Sequence, residues 1–412
     1  MEFGLFVQGY VPAARARTDP EAEHKALIEE TEYVIQADKS GFKYAWASEH
    51  HFLEEYSHLS ANDVYLGYLA HATERIHLGS GIFNPLAPVN HPVKVAEKVA
   101  MLDHLSEGRF EFGSGRGAGS HEILGFMPGI TDMNHTKELW EETIAEFPKM
   151  WLQDEYVGFQ GKHWSLPPRK VLPKPYVTSH PAMWYAAGSP SSYAMAGKKG
   201  LGVLGFSVQK VSDMEWVVES YKTAVKEAEP IGDFVNDNVM VTSTAICAET
   251  HAEAVEIAVS GGLNYLQSLL FRYHDTFPRP DGIPDWPELL PEYTEEIIEL
   301  LIAEELMICG DPDEVLRQCK RWEQAGADQL SFGLPIGISR EDTLNSIRLI
   351  GEHARFGDDG DAAVPETDVG AVRGAAGAVH DGRSADEVVE HDGVPFRVSD
   401  GRYGSTRVRG GA

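Results

Sequence analysis

Two adjacent histidines, His50 and His51, follow a segment (42–46) in which aromatic residues alternate with smaller or polar ones. This alternation predicts a buried strand, and parallel α/β enzymes place their chemistry just after the strand ends. Imidazoles change charge near neutral pH, and a neighbouring carboxylate can fix which ring nitrogen carries the proton. The preceding Glu49 is expected to do this. We therefore predict proton transfer by His50 and His51, the alternative being hydrogen-bonded histidines that only pack.

A metal site is a further alternative for this segment. Ligand-type side chains recur there at i, i+4 spacing: His50, His51, Glu54, Glu55 and His58. Such a site would need another ligand group from a different strand end, and neither His121 nor His180 lies in a carboxylate pattern that singles it out. We therefore expect no metal.

A second motif surrounds one arginine with four glycines in the stretch 113–119, after a predicted strand. Glycines let backbone N–H groups approach an anion, and a guanidinium group holds a phosphate through two hydrogen bonds. The motif alone is weak, because glycine-rich turns without a phosphate are common. Arg116 is its candidate anion ligand.

A third motif, 186–192, places Gly188 and Ser189 before a proline at a predicted helix start. Exposed amides, the hydroxyls of Ser189 and Ser192 and the positive helix end favour an anion, although an ordinary N-cap has the same sequence. Arg116 and Ser189 follow different parallel strands, so they should open on one face. Together they predict a site for a phosphorylated cofactor.

The stretch 78–85 supplies a fourth motif, with Ser80 and Gly81 at the end of a predicted strand. Small residues leave room for a flat ring to lie against the backbone. A bulge or a tight exit from the strand explains the pattern equally well.

The elements that must position these residues alternate between short β-rich runs and longer stretches of helical period, from residue 1 to about 357. Eight strands are predicted, at 3–8, 43–47, 76–81, 109–113, 183–187, 201–206, 239–246 and 328–333. The tally indicates an α/β fold of the (β/α)8 TIM-barrel type. Helix starts are predicted at Asp19–Pro20 and at three capping boxes, which begin at Ser212, Thr250 and Asp311, and Gly326 is predicted to end the last helix.

Two segments lack the alternation of strand and helix patterns. Residues 271–291 contain five prolines and Trp286, which indicates either a mobile lid or a surface insertion packed by its own aromatic residues. Residues 358–412 lose all periodicity and are predicted to be a flexible acidic, Gly-rich tail, in which 389–398 could form a small hairpin. The predicted domains are therefore a barrel over 1–357 and a tail over 358–412.

Composition excludes several classes of function. The 412 residues carry a formal net charge of -29, which disfavours nucleic acids and anionic membranes as partners. The three cysteines, Cys247, Cys309 and Cys319, lack metal-type spacing, and the N-terminus has neither a basic leader nor a membrane-length apolar run. A cytoplasmic protein is expected.

Taken together, the motifs resemble the bacterial luciferase family of flavin-dependent monooxygenases, most nearly the luciferase α subunit and related single-chain alkanal monooxygenases. The matching text spans most of 1–357 and includes Phe3–Gly4, 49–52, His91–Pro92–Val93, 106–112, Arg116–Gly117, 310–312 and Phe332–Gly333. Together these stretches are specific, whereas few are specific alone.

The resemblance implies a (β/α)8 barrel that holds reduced flavin mononucleotide (FMN) at the C-terminal ends of its strands, often as a homodimer. It implies that His50 serves flavin–oxygen chemistry and that Arg116, Ser189 and Ser192 bind the phosphate. It also implies a non-prolyl cis peptide at Ser80–Gly81, under the flavin ring. A flavin reductase partner, an apolar carbonyl or hydrocarbon-like substrate with O2, and a mobile loop at 273–291 follow from the same likeness.

Three residues differ from the family pattern, and two alternative functions are considered beside the resemblance. The family's reactive cysteine, a tyrosine and a glutamate of the phosphate site correspond to Gly115, Gly119 and Gly188, so light emission is not expected. One rival is a coenzyme F420-dependent oxidoreductase, which shares the barrel and transfers hydride without oxygen. The other is a non-catalytic flavin-binding subunit, against which the presence of both His50 and Arg116 argues.

Overall fold

The computed structural model describes residues 1–357 except 53–54, 56, 118, 207–208, 262–292 and 334–336. For residues 13, 14, 120, 121 and 354–357 it describes the backbone alone. The proline-rich segment 271–291, the predicted tail 358–412 and the hairpin predicted within it therefore lie outside the described residues.

The strands and helices alternate along most of the described chain. The strands are β1 Glu2–Val7, β2 Tyr44–Ala47, β3 His77–Ser80, β4 Phe110–Ser114, β5 Phe159–Gln160, β6 Ser165–Leu166, β7 Met183–Ala187, β8 Gly202–Gly205, β9 Val239–Cys247, β10 Ile308–Gly310 and β11 Gln329–Gly333. The helices are α1 Ala13–Thr18, α2 Ala22–Ser40, α3 Asn62–Ala72, α4 Pro92–Leu105, α5 Ser120–Phe126, α6 Asn134–Ile144, α7 Glu146–Leu152, α8 Pro190–Lys198, α9 Val211–Ala224, α10 His251–Ser260, α11 Glu295–Ala303, α12 Pro312–Gln324 and α13 Arg340–Gly357.

Eight parallel strands close into a barrel in the order β1-β2-β3-β4-β7-β8-β9-β11, and β11 pairs back to β1. The predicted (β/α)8 TIM barrel and all eight of its strands are confirmed. Three smaller strands were not predicted. The short strand β10 pairs with the last residues of β9 beyond the barrel wall, and β5 and β6 form an antiparallel hairpin. Among the described residues, no helix has the length and apolar character needed to cross a bilayer.

Large aromatic side chains fill the barrel interior. Trp46 on β2 and Trp184 on β7 are fully buried, with ring centroids 5.1 Å apart and planes at 75°. Each faces a glycine on the next strand, because a Cβ at Gly79 would lie 2.1 Å from the Trp46 ring and one at Gly202 would lie 2.5 Å from the Trp184 ring. Both indole N–H groups are satisfied. Trp46 donates to Gln329 at 2.6 Å, and Trp184 donates to Glu111 at 2.7 Å.

Two of the four predicted helix starts are confirmed. The start predicted at Asp19–Pro20 is two residues early, because α2 begins at Ala22 with Glu21 as its N-cap. Thr250 caps α10 by accepting from the Glu253 amide, and Asp311 forms a full capping box with Glu314 at the start of α12. Gly326 ends α12 in a left-handed conformation (φ +92°), as predicted. The box predicted at Ser212 is wrong, because α9 already begins at Val211 and Ser212 therefore lies inside the helix.

Ionic side chains that are buried or partly buried hold the N-terminal ends of the strands. The Asp38 carboxylate, at the end of α2, accepts the three amides of residues 74–76, which lead into β3. The Arg109 guanidinium, just before β4, donates to three carbonyl oxygens of the same turn at 2.8–3.2 Å. Asp328, just before β11, accepts the Val239 amide at 2.8 Å. This rim is therefore tied by hydrogen bonds between sequence-distant segments.

A buried carboxylate holds the exit of β1 at the opposite rim. Glu30 of α2 accepts the Gly9 amide at 3.0 Å on each of its two oxygens, and the Gln8 amide approaches at 3.4 Å. Gly9 has a φ of +59° and would clash with Leu59 if it carried a Cβ, so only glycine suits this turn. Burial raises the pKa of Glu30 to about 7, although the amides act in the opposite direction.

This raised pKa predicts a stability that depends on pH. Between the ordinary value of 4.5 and about 7 the folded state holds a proton that the unfolded state releases, so the free energy of unfolding should fall as pH rises through this window. In Glu30→Gln that contribution, on the order of 3 kcal/mol, should disappear. Urea unfolding followed by tryptophan fluorescence from pH 4.5 to 8 measures it, with the exposed Glu74→Gln as control. Equal pH slopes for the wild type and Glu30→Gln would contradict the assignment.

Candidate functional site

The predicted site residues follow four consecutive strands of the barrel. His50 and His51 come after β2, Ser80 and Gly81 lie at the end of β3, Arg116 comes after β4, and Gly188 to Ser192 come after β7. Since all four strands are parallel, these residues open on the same rim. Arg116 and Ser189 therefore lie at the same end of the barrel, as the sequence predicts.

His50 is paired with a carboxylate from a distant part of the chain. Its Nδ1 lies 3.0 Å from Glu122 Oε2, and both side chains are buried. The same oxygen accepts the His51 amide at 3.2 Å, so Glu122 of α5 fixes the backbone that carries both histidines. A carboxylate at Nδ1 favours the tautomer with the proton on that nitrogen, which leaves the lone pair on Nε2.

His51 has its own acidic partner. Its Nε2 lies 3.2 Å from Glu49 Oε1, so the expectation that Glu49 orients His50 is wrong. The correction has a simple cause, since the chain beyond β2 is no longer extended and Glu49 turns to the ring two residues ahead. Burial raises the pKa of Glu49. Burial lowers the pKa of His51, but the hydrogen bond and charge of Glu49 outweigh it, so the net shift is upward.

The end of β3 packs tightly against its neighbours. The Ser80 hydroxyl donates to the Gly113 carbonyl at 2.8 Å, and a Cβ at Gly113 would lie 1.9 Å from the Ser80 carbonyl oxygen. The cis peptide expected at Ser80–Gly81 lies one bond later, at Gly81–Ile82. Gly81 still donates its amide to the Ala47 carbonyl at 2.7 Å, so the ladder to β2 extends through Gly81.

Arg116 is anchored through two of the three nitrogens of its guanidinium group. Nε donates to the Tyr185 hydroxyl at 3.2 Å, and Nη1 donates to Thr136 Oγ1 at 3.1 Å and to the Met133 carbonyl at 3.4 Å. Within the described part of the chain, Nη2 donates to no protein group. The arginine is thus held in place while one of its two terminal nitrogens is left for an anion.

The start of α8 matches its prediction closely. Ser189 is the N-cap, Pro190 occupies the first turn, and Ser189 and Ser192 form a capping box. The Ser192 hydroxyl donates to the Ser189 carbonyl at 2.6 Å, so it serves the helix itself. Gly188 and Ser189 are exposed, and a Cβ added at Gly188 would meet no described atom within 4 Å. Open space thus lies beside the positive end of a helix.

Apolar side chains line the barrel interior beneath this rim. The cluster contains Phe6, Tyr10, Tyr44, Trp46, Ile82, Trp184, Leu204 and Met240, with Ala186 and Phe206 partly buried against it. A Cβ at Gly115 would lie 3.0 Å from Ile82 and 3.4 Å from Ala186, so the absence of a side chain there keeps the floor of the rim flat. The floor suits an aromatic ring or an apolar substrate.

Sequence reasoning missed three residues of this site. Glu122, Tyr185 and Thr136 position His50 and Arg116, yet each lies between 20 and 72 residues from its partner. An acidic residue in the first turn of a helix beside the glycine-rich motif was the one available signal for Glu122. Of the alternative metal set, His50, His51 and His58 each lie beside a different glutamate, and Glu54 lies outside the described residues.

Comparison with known proteins gives a consistent result. A family model described as Luciferase-like monooxygenase matches residues 1–329. The oxygenase component of a flavin-dependent trigonelline monooxygenase from Acinetobacter baylyi is 26% identical over 362 residues, covering 85% of this chain and 94% of that protein. An alkanal monooxygenase alpha chain from a Kryptophanaron alfredi symbiont is 31% identical over 50% of this chain and 54% of its own length. An F420-dependent glucose-6-phosphate dehydrogenase from Amycolatopsis mediterranei is 25% identical over 78% of this chain and 94% of its own.

Solved structures share the fold. Monooxygenase RslO1 from Streptomyces bottropensis superposes with a TM-score of 0.70 at 21% identity, covering 87% of this chain and all of that one (100%). The oxygenating constituent of 3,6-diketocamphane monooxygenase from Pseudomonas putida, in complex with FMN, gives a TM-score of 0.65 at 20% identity, covering 85% and 97%. At these identities the likeness concerns the fold alone.

The pairing of His51 with Glu49 can be tested by titration. In Glu49→Gln the pKa of His51 should fall, because the carboxylate that raises it is gone while burial, which lowers it, remains. Nuclear magnetic resonance of the imidazole nitrogens across pH measures the change. Glu122→Gln is the matched control, since Glu122 contributes least among the causes and should shift the pKa of His51 less. A larger shift in Glu122→Gln than in Glu49→Gln would contradict the pairing.

Proposed function

The chain belongs to the luciferase-like monooxygenase family, and on that premise we propose that it is the oxygenase of a two-component system. It takes reduced FMN from a separate flavin reductase and uses O2 to oxygenate a small apolar substrate such as an aldehyde, a ketone or a hydrocarbon-like compound. The observation that carries the proposal is the convergence of three parts on one rim, namely the His50–Glu122 pair, Arg116 and the start of α8.

The rim fits the phosphate of such a cofactor. The phosphate is assigned to Nη2 of Arg116 and to the backbone at Gly188 and Ser189, where the positive end of α8 favours an anion. Ser192 supports this role through the capping box, and its hydroxyl is not itself assigned to the ligand. In a protein of net charge -29, such a local site is needed to hold an anion at all.

The floor of the rim fits a flat ring. The ring is assigned to the surface formed by Ser80, Gly81 and Ile82 at the end of β3, beside Gly115. When bound, reduced flavin supplies the electrons and the point at which oxygen reacts. The aromatic and aliphatic interior, including Phe6 and Phe206, supports an apolar substrate and limits the access of water to it.

His50 is assigned the transfer of a proton at Nε2. Glu122, 3.0 Å from Nδ1, orients the ring for this transfer. His51 supports the same region as a second imidazole, held by Glu49, and its raised pKa keeps it more readily protonated. The three buried free cysteines of the sequence suit the reducing cytoplasm that the sequence predicts.

Use of coenzyme F420 is the second candidate, and the likeness to an F420-dependent dehydrogenase over 78% of the chain favours it. Affinity measurements separate the two cofactors. The full-length protein is titrated without oxygen with reduced FMN, reduced riboflavin and reduced F420. Tight binding of FMN supports the proposal, and tight binding of F420 with none of FMN overturns it.

The roles of Arg116 and His50 are distinguishable in this assay. Arg116→Ala should weaken FMN binding at least tenfold and leave the binding of riboflavin, which has no phosphate, nearly unchanged, because the loss is of a charge-assisted phosphate contact. The exposed Arg317→Ala is the control. His50→Gln should keep FMN affinity within about threefold but lower product formation roughly 10²-fold or more across a panel of aldehydes, ketones and terpenes.

Two outcomes would revise these roles. Equal losses of FMN and riboflavin in Arg116→Ala would make the arginine a structural anchor for Tyr185 and Thr136. Loss of both binding and turnover in His50→Gln would reassign His50 to packing.

We further propose that the chain forms a homodimer through α3 and α4. These neighbouring helices expose four apolar side chains at i, i+4 spacing, Val64 and Tyr68 on α3 and Met101 and Leu105 on α4, with exposed fractions of 49–72%. Exposed apolar side chains grouped on neighbouring helices are typical of a protein interface. Gly67 of α3 lies close to α4, because a Cβ added there would lie 3.9 Å from the side chains of Leu102 and Leu105.

Sedimentation of the full-length chain tests the dimer. The wild type should sediment as a dimer at micromolar concentration, and Tyr68→Glu together with Leu105→Glu should give a monomer, because two buried charges would face apolar partners. Trp216→Glu on α9, at a site 58% exposed, is the matched control and should leave the dimer intact. A monomeric wild type, or a dimer that survives both substitutions, would contradict the proposal.

A further inference from the structure

Apart from the rim, metal-ligating side chains from two separate segments meet on the outside of the barrel. His135 and Glu138 lie in the first turns of α6, and His163 lies in the turn of the β5–β6 hairpin. Their ligand atoms all lie within 4.8 Å of one another. We propose that these three residues bind a first-row transition cation such as Zn²⁺. The set is distinct from the His50 segment, for which the sequence argued against a metal.

The two residues on α6 are arranged by the helix itself. Positions i and i+3 share one face, and His135 Nδ1 lies 3.9 Å from Glu138 Oε2. His163 completes the group, with its ring centroid 5.1 Å from that of His135 and the planes at 73°. Ligands of a tetrahedral zinc ion lie about 3.4 Å apart. Small side-chain rotations therefore bring the three atoms to binding distance, and two imidazoles with a carboxylate are a donor set that suits zinc, cobalt or nickel.

The hairpin half of the site is held against the helix without a metal. Glu142, one turn beyond Glu138 on α6, accepts the His163 amide at 3.0 Å, and its other oxygen lies 3.8 Å from His163 Nε2. Trp164, the next residue, is buried and packs on Phe159 at a ring distance of 4.5 Å. His163 is thus fixed in place, with a carboxylate positioned to orient its ring toward an ion.

The ammonium group of Lys162 already contacts one of the three proposed ligands, Glu138. Lys162 Nζ is 3.2 Å from Glu138 Oε2, and both side chains are largely exposed. An exposed pair of this kind contributes little stability, so a divalent ion that also binds two imidazoles can displace the ammonium group. Lys162 is therefore a competitor for the site, which gives a test in which one substitution strengthens binding.

The site shares its helical turn with the arginine of the rim. Thr136, next to His135, is buried and accepts from Arg116, as does the Met133 carbonyl. An ion on the outer side of this turn would tie it to the β5–β6 hairpin. We therefore expect slower amide exchange in residues 134–138 and 161–164 when metal is bound.

Calorimetric titration of the metal-free, full-length protein with Zn²⁺ tests the proposal. One ion per chain should bind, His135→Gln and His163→Gln should each weaken binding at least tenfold, and Lys162→Gln should tighten it. His24→Gln, on the exposed face of α2, is the matched control and should have no effect. Undiminished binding in both His135→Gln and His163→Gln would overturn the proposal, and so would equal binding of Ca²⁺, which would indicate a general acidic surface.

Two further readouts guard against a variant that merely misfolds. Circular dichroism should give wild-type melting for the metal-free variants. The Co²⁺-loaded wild type should show visible ligand-field absorption that is lost in both histidine variants and kept in His24→Gln. If Zn²⁺ leaves the hydrogen exchange of residues 134–138 and 161–164 unchanged, the ion binds elsewhere and the proposal is wrong.

Discussion

The closed ring of eight parallel strands leaves a narrow interior, and two indoles take up much of it. Trp46 and Trp184 can lie edge to face only because glycines stand opposite them on the neighbouring strands, and their N–H groups require the buried acceptors Gln329 and Glu111. Both indoles are fully buried inside the barrel. The proposed cofactor site therefore lies at the rim above them, where glycines and small residues follow the strands.

On this rim, hydrogen-bonded side-chain pairs are drawn from different βα units. Glu122 after β4 holds His50 after β2, and Tyr185 of β7 holds Arg116 after β4. The barrel walls keep these partners at fixed separations, so each functional group is oriented before any ligand arrives. In the proposed function, one anchored guanidinium group and one helix terminus supply the local positive region that an anionic cofactor needs in a strongly acidic chain.

The sequence predicted what local patterns control. The eight barrel strands could be predicted from short runs of β-branched and aromatic residues. The capping box at Asp311 could be predicted because its two residues are only three positions apart. The sequence did not reveal Glu122, because the pairing with His50 spans 72 residues and exists only after the barrel closes. Glu49 shows the limit at short range as well, since the loop after β2 turns it toward His51. Strand β10 is three residues long, too short to carry a period.

The opposite end of the barrel is built quite differently. There Asp38, Arg109 and Asp328 form hydrogen bonds to backbone amides and carbonyls. These bonds do not depend on the identity of the side chains on the backbone that they hold. These three backbone contacts thus lie at the end of the barrel opposite the proposed cofactor site. Substitutions confined to the opposite rim leave these contacts in place, so that rim is the part of the chain at which redesign would begin.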